Sequence, residues 1–264
     1  MTELRHADFD SVVEIMQELG TQIVVWGDDE SAKTLHSKRE FKTDADRRAH
    51  NFLNEKLAAL FPGTPIVSEE DVTHSDMRPE RYWLIDPIDG TASWYEGFDG
   101  FVTQAAYIEK AEPLFGVIHS PITGCTWTAV RGDGGRLNGK RLPRLRPSQR
   151  LVVIDNTPEP RGITAELMKQ ISATGYRESG SLGLKSALVA DGSVDLFVKR
   201  VAVRDWDIAS AAVLLREVGG CLALPSGMPF IFDGQFTKTS GVVVARDPAL
   251  LGLALNAIAD IEST

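Results

Sequence analysis

The chain has 264 residues, 43% hydrophobic and 25% charged, an ordinary globular composition. Its net charge of −9 argues against nonspecific binding to nucleic-acid polymers or to an anionic membrane, and no apolar run approaches the ~20 residues of a membrane span. Cys125 and Cys221 fit no zinc or redox spacing and no secretory apolar region opens the chain, so a soluble, cytoplasmic, reducing-compartment protein is expected.

Residues 7–26 set Val12, Val13, Ile15, Met16, Leu19, Ile23 and Val24 at near-helical spacing. The segment from Gly27 to Arg39, with Asp28, Asp29, Glu30 and Lys38, reads as flexible. Thr43 and Asp44 can cap a second helix that carries Phe52, Leu53, Leu57 and Leu60 on one face and stops at Pro62-Gly63. Strands are predicted at 64–68, 82–86, 101–109, 113–119 and 125–130. Residues 131–150 hold seven arginines and lysines among glycines and prolines and read as a solvated linker. A boundary near 147 divides an N-terminal α+β lobe, 1–147, from a C-terminal α/β lobe, 148–264. The second lobe alternates: strand 150–155, helix 163–172, helix 184–191, strand 194–198, helix 206–218 closed by Gly219-Gly220, strands near 220–224 and 241–245, helix 248–260. Its apolar runs are parted by turn residues, and the fold class is α/β.

Residues Trp83 to Thr91 read WLIDPIDGT. The apolar run Trp83-Leu84-Ile85 suits a buried strand, and Pro87 and Gly90 are expected to end it in a turn that opens a helix. Asp86 and Asp89 then emerge together at the strand end, where two hard anionic ligands beside exposed N–H groups can hold divalent cations and a phosphate. Gly90 would let the backbone approach a ligand closely. A second acidic cluster, Ser68-Glu69-Glu70-Asp71, follows another short apolar run, Pro65-Ile66-Val67. Two acidic strand ends so close in sequence suggest one metal site. Asp46 and Asp207, each at a helix start, would singly be read as first-turn or capping acids.

Val67-Ser68-Glu69-Glu70, Asp86-Pro87-Ile88-Asp89-Gly90-Thr91 and Trp206-Asp207 before an Ala-rich helix resemble, in order and spacing, the signatures of the inositol monophosphatase superfamily; Thr43-Asp44-Ala45-Asp46 matches its Thr-x-Ala-Asp element. The resemblance covers about residues 40–245. It implies a five-layer αβαβα sandwich and a lithium-sensitive, Mg2+-dependent phosphomonoesterase with two or three ions, Mn2+ serving as a substitute. Carried over by position, Glu69, Asp86 and the Ile88 carbonyl would hold one ion, and Asp86, Asp89 and Asp207 a second. Some members take a third near Glu69. Thr91 and Asp46 would orient and deprotonate the attacking water with help from Glu69 or Glu70, and the N–H groups around Gly90 and Thr91 would cradle the phosphate. The family also places a mobile loop where Gly27–Arg39 stands, and it implies a homodimer.

For the leaving group, Gly180-Ser181-Leu182-Gly183-Leu184-Lys185 resembles the Ser-Leu-Lys segment of 3'(2'),5'-bisphosphate nucleotidases. Lys199-Arg200 stands about where inositol phosphatases have a glutamate. Ser181, Lys185, Lys199 and Arg200, with Asp89, Gly90 and Thr91, are therefore expected to bind substrate, the basic residues facing a second phosphate. Lys185 on a solvated helix surface is the bland alternative, and an exposed strand end that for Lys199-Arg200. Ala92-Ser93-Trp94-Tyr95 departs from the nucleotidase pattern; Trp94 and Tyr95 could stack on a base or sugar, but buried packing is expected of at least one. The leading substrate is 3'-phosphoadenosine 5'-phosphate, with inositol 1-phosphate or another sugar, polyol or histidinol phosphate as the alternative. A phospho-ligand sensor without turnover is the reading from another class. His36, His50, His74 and His119 show no metal-ligand spacing and are expected to be structural.

Overall fold

The computed structural model describes residues 5–37, 41–75, 77–148 and 150–263. Lys38 and Arg39, counted above in the flexible segment, lie outside the described residues. The first half runs α1 (Asp10–Trp26), β1 (Leu35–Ser37), β2 (Lys42–Thr43), α2 (Asp44–Leu60), β3 (Ile66–Ser68), β4 (Arg81–Asp89), α3 (Thr91–Glu96), β5 (Val102–Glu109), β6 (Glu112–Ser120), β7 (Cys125–Val130), β8 (Gly134–Leu137) and β9 (Lys140–Arg141). The second runs β10 (Val152–Asp155), α4 (Gly162–Gln170), β11 (Gly175–Glu178), α5 (Leu182–Ala190), β12 (Leu196–Lys199), β13 (Val203–Arg204), α6 (Asp205–Val218), β14 (Cys221–Ala223), β15 (Thr237–Lys238), β16 (Val242–Ala245) and α7 (Pro248–Glu262).

Strands β3 to β9 form one seven-stranded sheet in sequence order, parallel only between β3 and β4. The second sheet is five-stranded, in the order β11-β10-β12-β16-β14. The layers follow from side-chain alternation. Along β4, Trp83 and Ile85 join Val12, Met16 and Leu19 of α1 and Leu53 and Leu57 of α2. Tyr82 and Leu84 point the other way and share a core with α5, α6 and the second-sheet residues Ile154, Phe197, Val242 and Val244. The opposite face of the second sheet, Val153, Leu196, Val198 and Val243, packs on Leu167 of α4 and Leu250, Ala254 and Ile258 of α7. Helix, sheet, helix, sheet, helix is the expected five-layer sandwich. Each fully buried large side chain contributes ~1.5–3 kcal/mol, which is why the middle layer, α6, is apolar on nearly every side.

Two expectations are corrected. Pro87 does not end its strand, since β4 continues to Asp89. The β3 ladder stops at Ile85 and the pairing with β5 skips from Asp86 to Asp89, so the missing Pro87 N–H costs no ladder bond. The linker expected over 131–150 contains β8 and β9, which extend the first sheet; Gly134 supplies a left-handed turn at φ 82. No helix among the described residues is long and apolar enough to cross a membrane.

Candidate active site

Local sequence positions each acid. Ser68 ends β3, and its N–H is held by Asp71 Oδ2 at 2.8 Å, which turns the chain so that Glu69 and Glu70 project from the sheet edge. His50 meets the Ser68 hydroxyl at 2.9 Å and His74 Nε2 bonds the Ser68 carbonyl at 2.7 Å. These histidines therefore build the turn rather than bind a metal. His36 pairs with Asp44, and His119 with Thr126, away from the acids. Asp207 is the third residue of α6, with its Oδ2 accepting the Arg204 N–H at 2.8 Å.

Glu69, Asp86 and Asp207 each offer a carboxylate oxygen within 4.8 Å of the other two. Two unit charges at that distance repel by roughly 3.5 kcal/mol at an effective dielectric near 20. Burial raises the Asp86 carboxyl well above the ordinary range, with Glu69 adding next. Burial, then Asp207 and Glu70, pushes Glu69 up to about 8. Asp207 is pushed up to about 7 by burial and then by Asp89. Neither oxygen of Asp86, a residue 1% exposed, has a hydrogen-bond donor. A buried, donorless carboxylate among other carboxylates is what a hard divalent cation satisfies, and Mg2+ prefers such oxygens. The residues present fit the metal that the resemblance implies.

Asp89 stands beside this group rather than in it. Its Oδ2 accepts from Ser181 Oγ at 2.5 Å, Gly183 N–H at 2.7 Å and Gln104 Nε2 at 3.1 Å, and its Oδ1 takes the Leu182 N–H at 3.3 Å. The N-terminus of α5 thus draws Asp89 toward it. Asp46, also buried, accepts from the Thr43 N–H at 2.7 Å and from Thr43 Oγ1 at 2.6 Å, and its other oxygen faces Thr91 Oγ1 at 2.8 Å. The Thr91 hydroxyl has a second acceptor, the Ile88 carbonyl, at 3.0 Å. Gly90 has φ 92, and a Cβ there would lie 2.8 Å from the Gly100 carbonyl. That backbone leaves no room for a side chain at Gly90.

Three of the residues expected to bind substrate have protein partners in the structure. The Ser181 hydroxyl is spent on Asp89 and on capping α5 through Leu184 N–H at 2.9 Å. Lys185 is neither solvated nor presented to a ligand. It is 3% exposed, donates to the carbonyls of Gly180 at 2.5 Å and Ser179 at 3.2 Å, and lies over Phe197; burial lowers its ammonium to about 8. Arg200 is drawn to Glu262 of α7. Trp94 is buried with its Nε1 on the Ile23 carbonyl at 3.0 Å, the packing role expected of one of the two aromatics.

Sequence reading missed two contributors. Gln104 reaches Asp89 and, at 3.3 Å, the Asp207 carbonyl. Its signal was one amide inside the apolar run Val102–Ile108. Lys42 donates to the Glu69 carbonyl at 2.8 Å and lies 3.3 Å from Glu70 Oε1. Its signal was a lysine directly before Thr43-Asp44-Ala45-Asp46.

Comparison with known proteins decides the lineage: the inositol monophosphatase family model matches residues 3–263. The chain belongs to the inositol monophosphatase family. It is 27% identical over 238 residues to a fructose-1,6-bisphosphatase/inositol-1-monophosphatase of Thermotoga maritima, covering 89% of this chain and 91% of that protein. It is 33% identical to the 3'(2'),5'-bisphosphate nucleotidase CysQ of Haemophilus influenzae, covering 74% and 72%. The Thermotoga maritima IMPase TM1415 superposes with a TM-score of 0.80 at 26% identity, covering 97% of this chain and 98% of that one. Family and relatives make this chain a phosphatase, a hydrolase whose acidic cluster is of the family's metal-dependent kind.

Proposed function

We propose that the chain is a Mg2+-dependent phosphomonoesterase that cleaves a small soluble phosphate ester with an activated water. The observation that carries this reading is the donorless Asp86 carboxylate inside the Glu69–Asp86–Asp207 group, on the strand that leads through Gly90 into Thr91, which pairs with Asp46. Divalent ions bound there would lower the pKa of a water and neutralise the phosphate. Glu69, Asp86, Asp207 and the Ile88 carbonyl would hold them, with Asp89 alongside. Thr91 Oγ1 donates to Asp46, which leaves its lone pairs to accept from the water and aim it. Asp46, raised by burial above the ordinary carboxylate range, is a stronger base than an exposed aspartate for taking that proton.

For the substrate, the nucleotidase relatives at about 30% identity support 3'-phosphoadenosine 5'-phosphate, cleaved to AMP and phosphate. The commitment of Lys185 and Arg200 to protein partners favours a second reading, a monophosphate of inositol or another polyol, because it leaves Lys199 alone of the three to meet a second phosphate. A kcat/KM panel of the adenosine bisphosphate, inositol 1-phosphate, fructose 1,6-bisphosphate and histidinol phosphate separates them. The nucleotide should lead by at least ~10-fold, ~1.4 kcal/mol of transition-state discrimination; a lead by inositol 1-phosphate selects the second reading, and no Mg2+-dependent phosphate release from any ester rejects both. Lithium inhibition, a homodimer and a cytoplasmic location belong to the same proposal. Millimolar LiCl in the assay and light scattering of the purified chain test the first two.

A further inference from the structure

Lys42 opens β2 and is followed by Thr43, whose N–H and hydroxyl hold Asp46. Its ammonium donates to the Glu69 carbonyl at 2.8 Å and pairs with Glu70 Oε1 at 3.3 Å, and both side chains are largely buried, 23% and 13% exposed. Arg204 Nη1 puts another positive charge 3.9 Å from Glu69 Oε1. The outer side of the Glu69-Glu70 turn is thus met by cationic side chains, and the inner side by the acids Asp86 and Asp207.

We propose that Lys42 is a resident cation of the active site, engaging Glu70 and the Glu69 carbonyl so that divalent ions are confined to the inner Glu69–Asp86–Asp207 group. The proposal rests on the metal-dependent reading above. A divalent ion bound on the outer side would compete with the ammonium for Glu70 Oε1 and the Glu69 carbonyl, the oxygens that Lys42 already engages. A dication placed beside the ammonium would also be repelled by its like charge. Partial burial keeps salt from screening that repulsion away. Glu70 is then a partner for Lys42 and not a metal ligand, and Lys42 is a positioning residue that sets how many ions the site accepts.

The test counts ions rather than turnover, by equilibrium dialysis and calorimetric titration of the metal-free chain with Mn2+. Lys42→Met keeps the apolar stem and removes the charge, and it should bind one Mn2+ per chain more than the wild type. Lys42→Arg should keep the wild-type number. Glu70→Gln in the wild-type background should leave the number unchanged, and adding it to Lys42→Met should remove the extra ion. Loss of an ion on Glu70→Gln alone, or no gain in folded Lys42→Met, overturns the proposal. If Lys42→Met does not fold, the Glu70→Gln count decides by itself. A wild-type chain that takes up no Mn2+ would instead refute the metal-dependent reading, so the two failures are told apart.

Discussion

Neither Asp86 oxygen has a donor, and one of them lies within 4.8 Å of a carboxylate oxygen of Glu69 and of Asp207, an arrangement that a bound metal ion or proton relieves. Asp86→Asn should therefore raise the stability of the metal-free protein by about 1–2 kcal/mol, roughly 2–8 °C in Tm for a chain of this size. The same variant should lose Mg2+-dependent turnover. Thermal unfolding in EDTA and a phosphate-release assay check both halves, and a lowered metal-free Tm would contradict the argument. Asp89→Asn differs, because the Asp89 oxygens already face the N–H groups of Leu182 and Gly183. An amide there turns an N–H toward donors. We expect turnover to vanish with ~1–3 kcal/mol of stability lost, measured by urea unfolding beside kcat. At this scale the acids were legible from sequence because Asp-Pro-x-Asp-Gly-Thr puts ligand, turn and donor in one run. Lys185 was not: a lysine at a helix start reads as surface until the neighbouring strand bearing Phe197 is seen to cover it.

Strand β5 does more than pair with β4. Through Gln104 it ties Asp89, at the end of β4, to the first turn of α6 at the Asp207 carbonyl. Gln104→Leu should keep the strand and its burial but free both acids from their brace, weakening Mg2+ binding by ~10–100-fold. Mg2+ titration of the unfolding temperature measures it, and unchanged affinity would show the brace to be idle. The turn that follows β4 is as constrained. Gly90→Ala must place a methyl group against Gly100 O at positive φ, and should cost ~1–3 kcal/mol with loss of turnover. Long elements were readable beforehand where periodicity and caps agreed, as in α2 with its Thr43–Asp46 reciprocal cap and α6 with Gly219 at φ 84. Strands of two residues such as β13 and β15, and the polar edge strand β11, carry no period long enough to detect. They exist because tertiary neighbours supply their partners.

Across the molecule, the ligand set is assembled from the first sheet and the middle helix: Glu69, Asp86 and Asp89 at the ends of β3 and β4, and Asp207 on α6 between the sheets. The raised carboxyls make the charge state of that assembly a stability variable. Between the ordinary carboxylate pKa near 4 and the values of about 7 for Asp207 and about 8 for Glu69, the folded metal-free chain holds protons that the unfolded chain has released. Stability must then fall as pH rises through that window. His119, lowered by burial to about 4, acts oppositely below its ordinary pKa near 6.5, losing stability as pH falls. The clean interval is therefore pH 6.5–8. There the EDTA-treated protein should lose Tm while Mg2+, which displaces those protons, should stabilise more with each pH step. Parallel Tm-against-pH curves with and without Mg2+ would contradict the assignment.

Gly116, on the central strand β6, lies against the backbone of Ser210, and a Cβ at that glycine would overlap it. Ser210 sits one helical turn beyond Asp207 on the same rod. A single methyl introduced there is thus a wedge under a lever: it lifts the helix off the sheet and swings the acid at its tip out of register with its fellows. Damage to catalysis can in this way begin at a spot that touches neither ion nor ester.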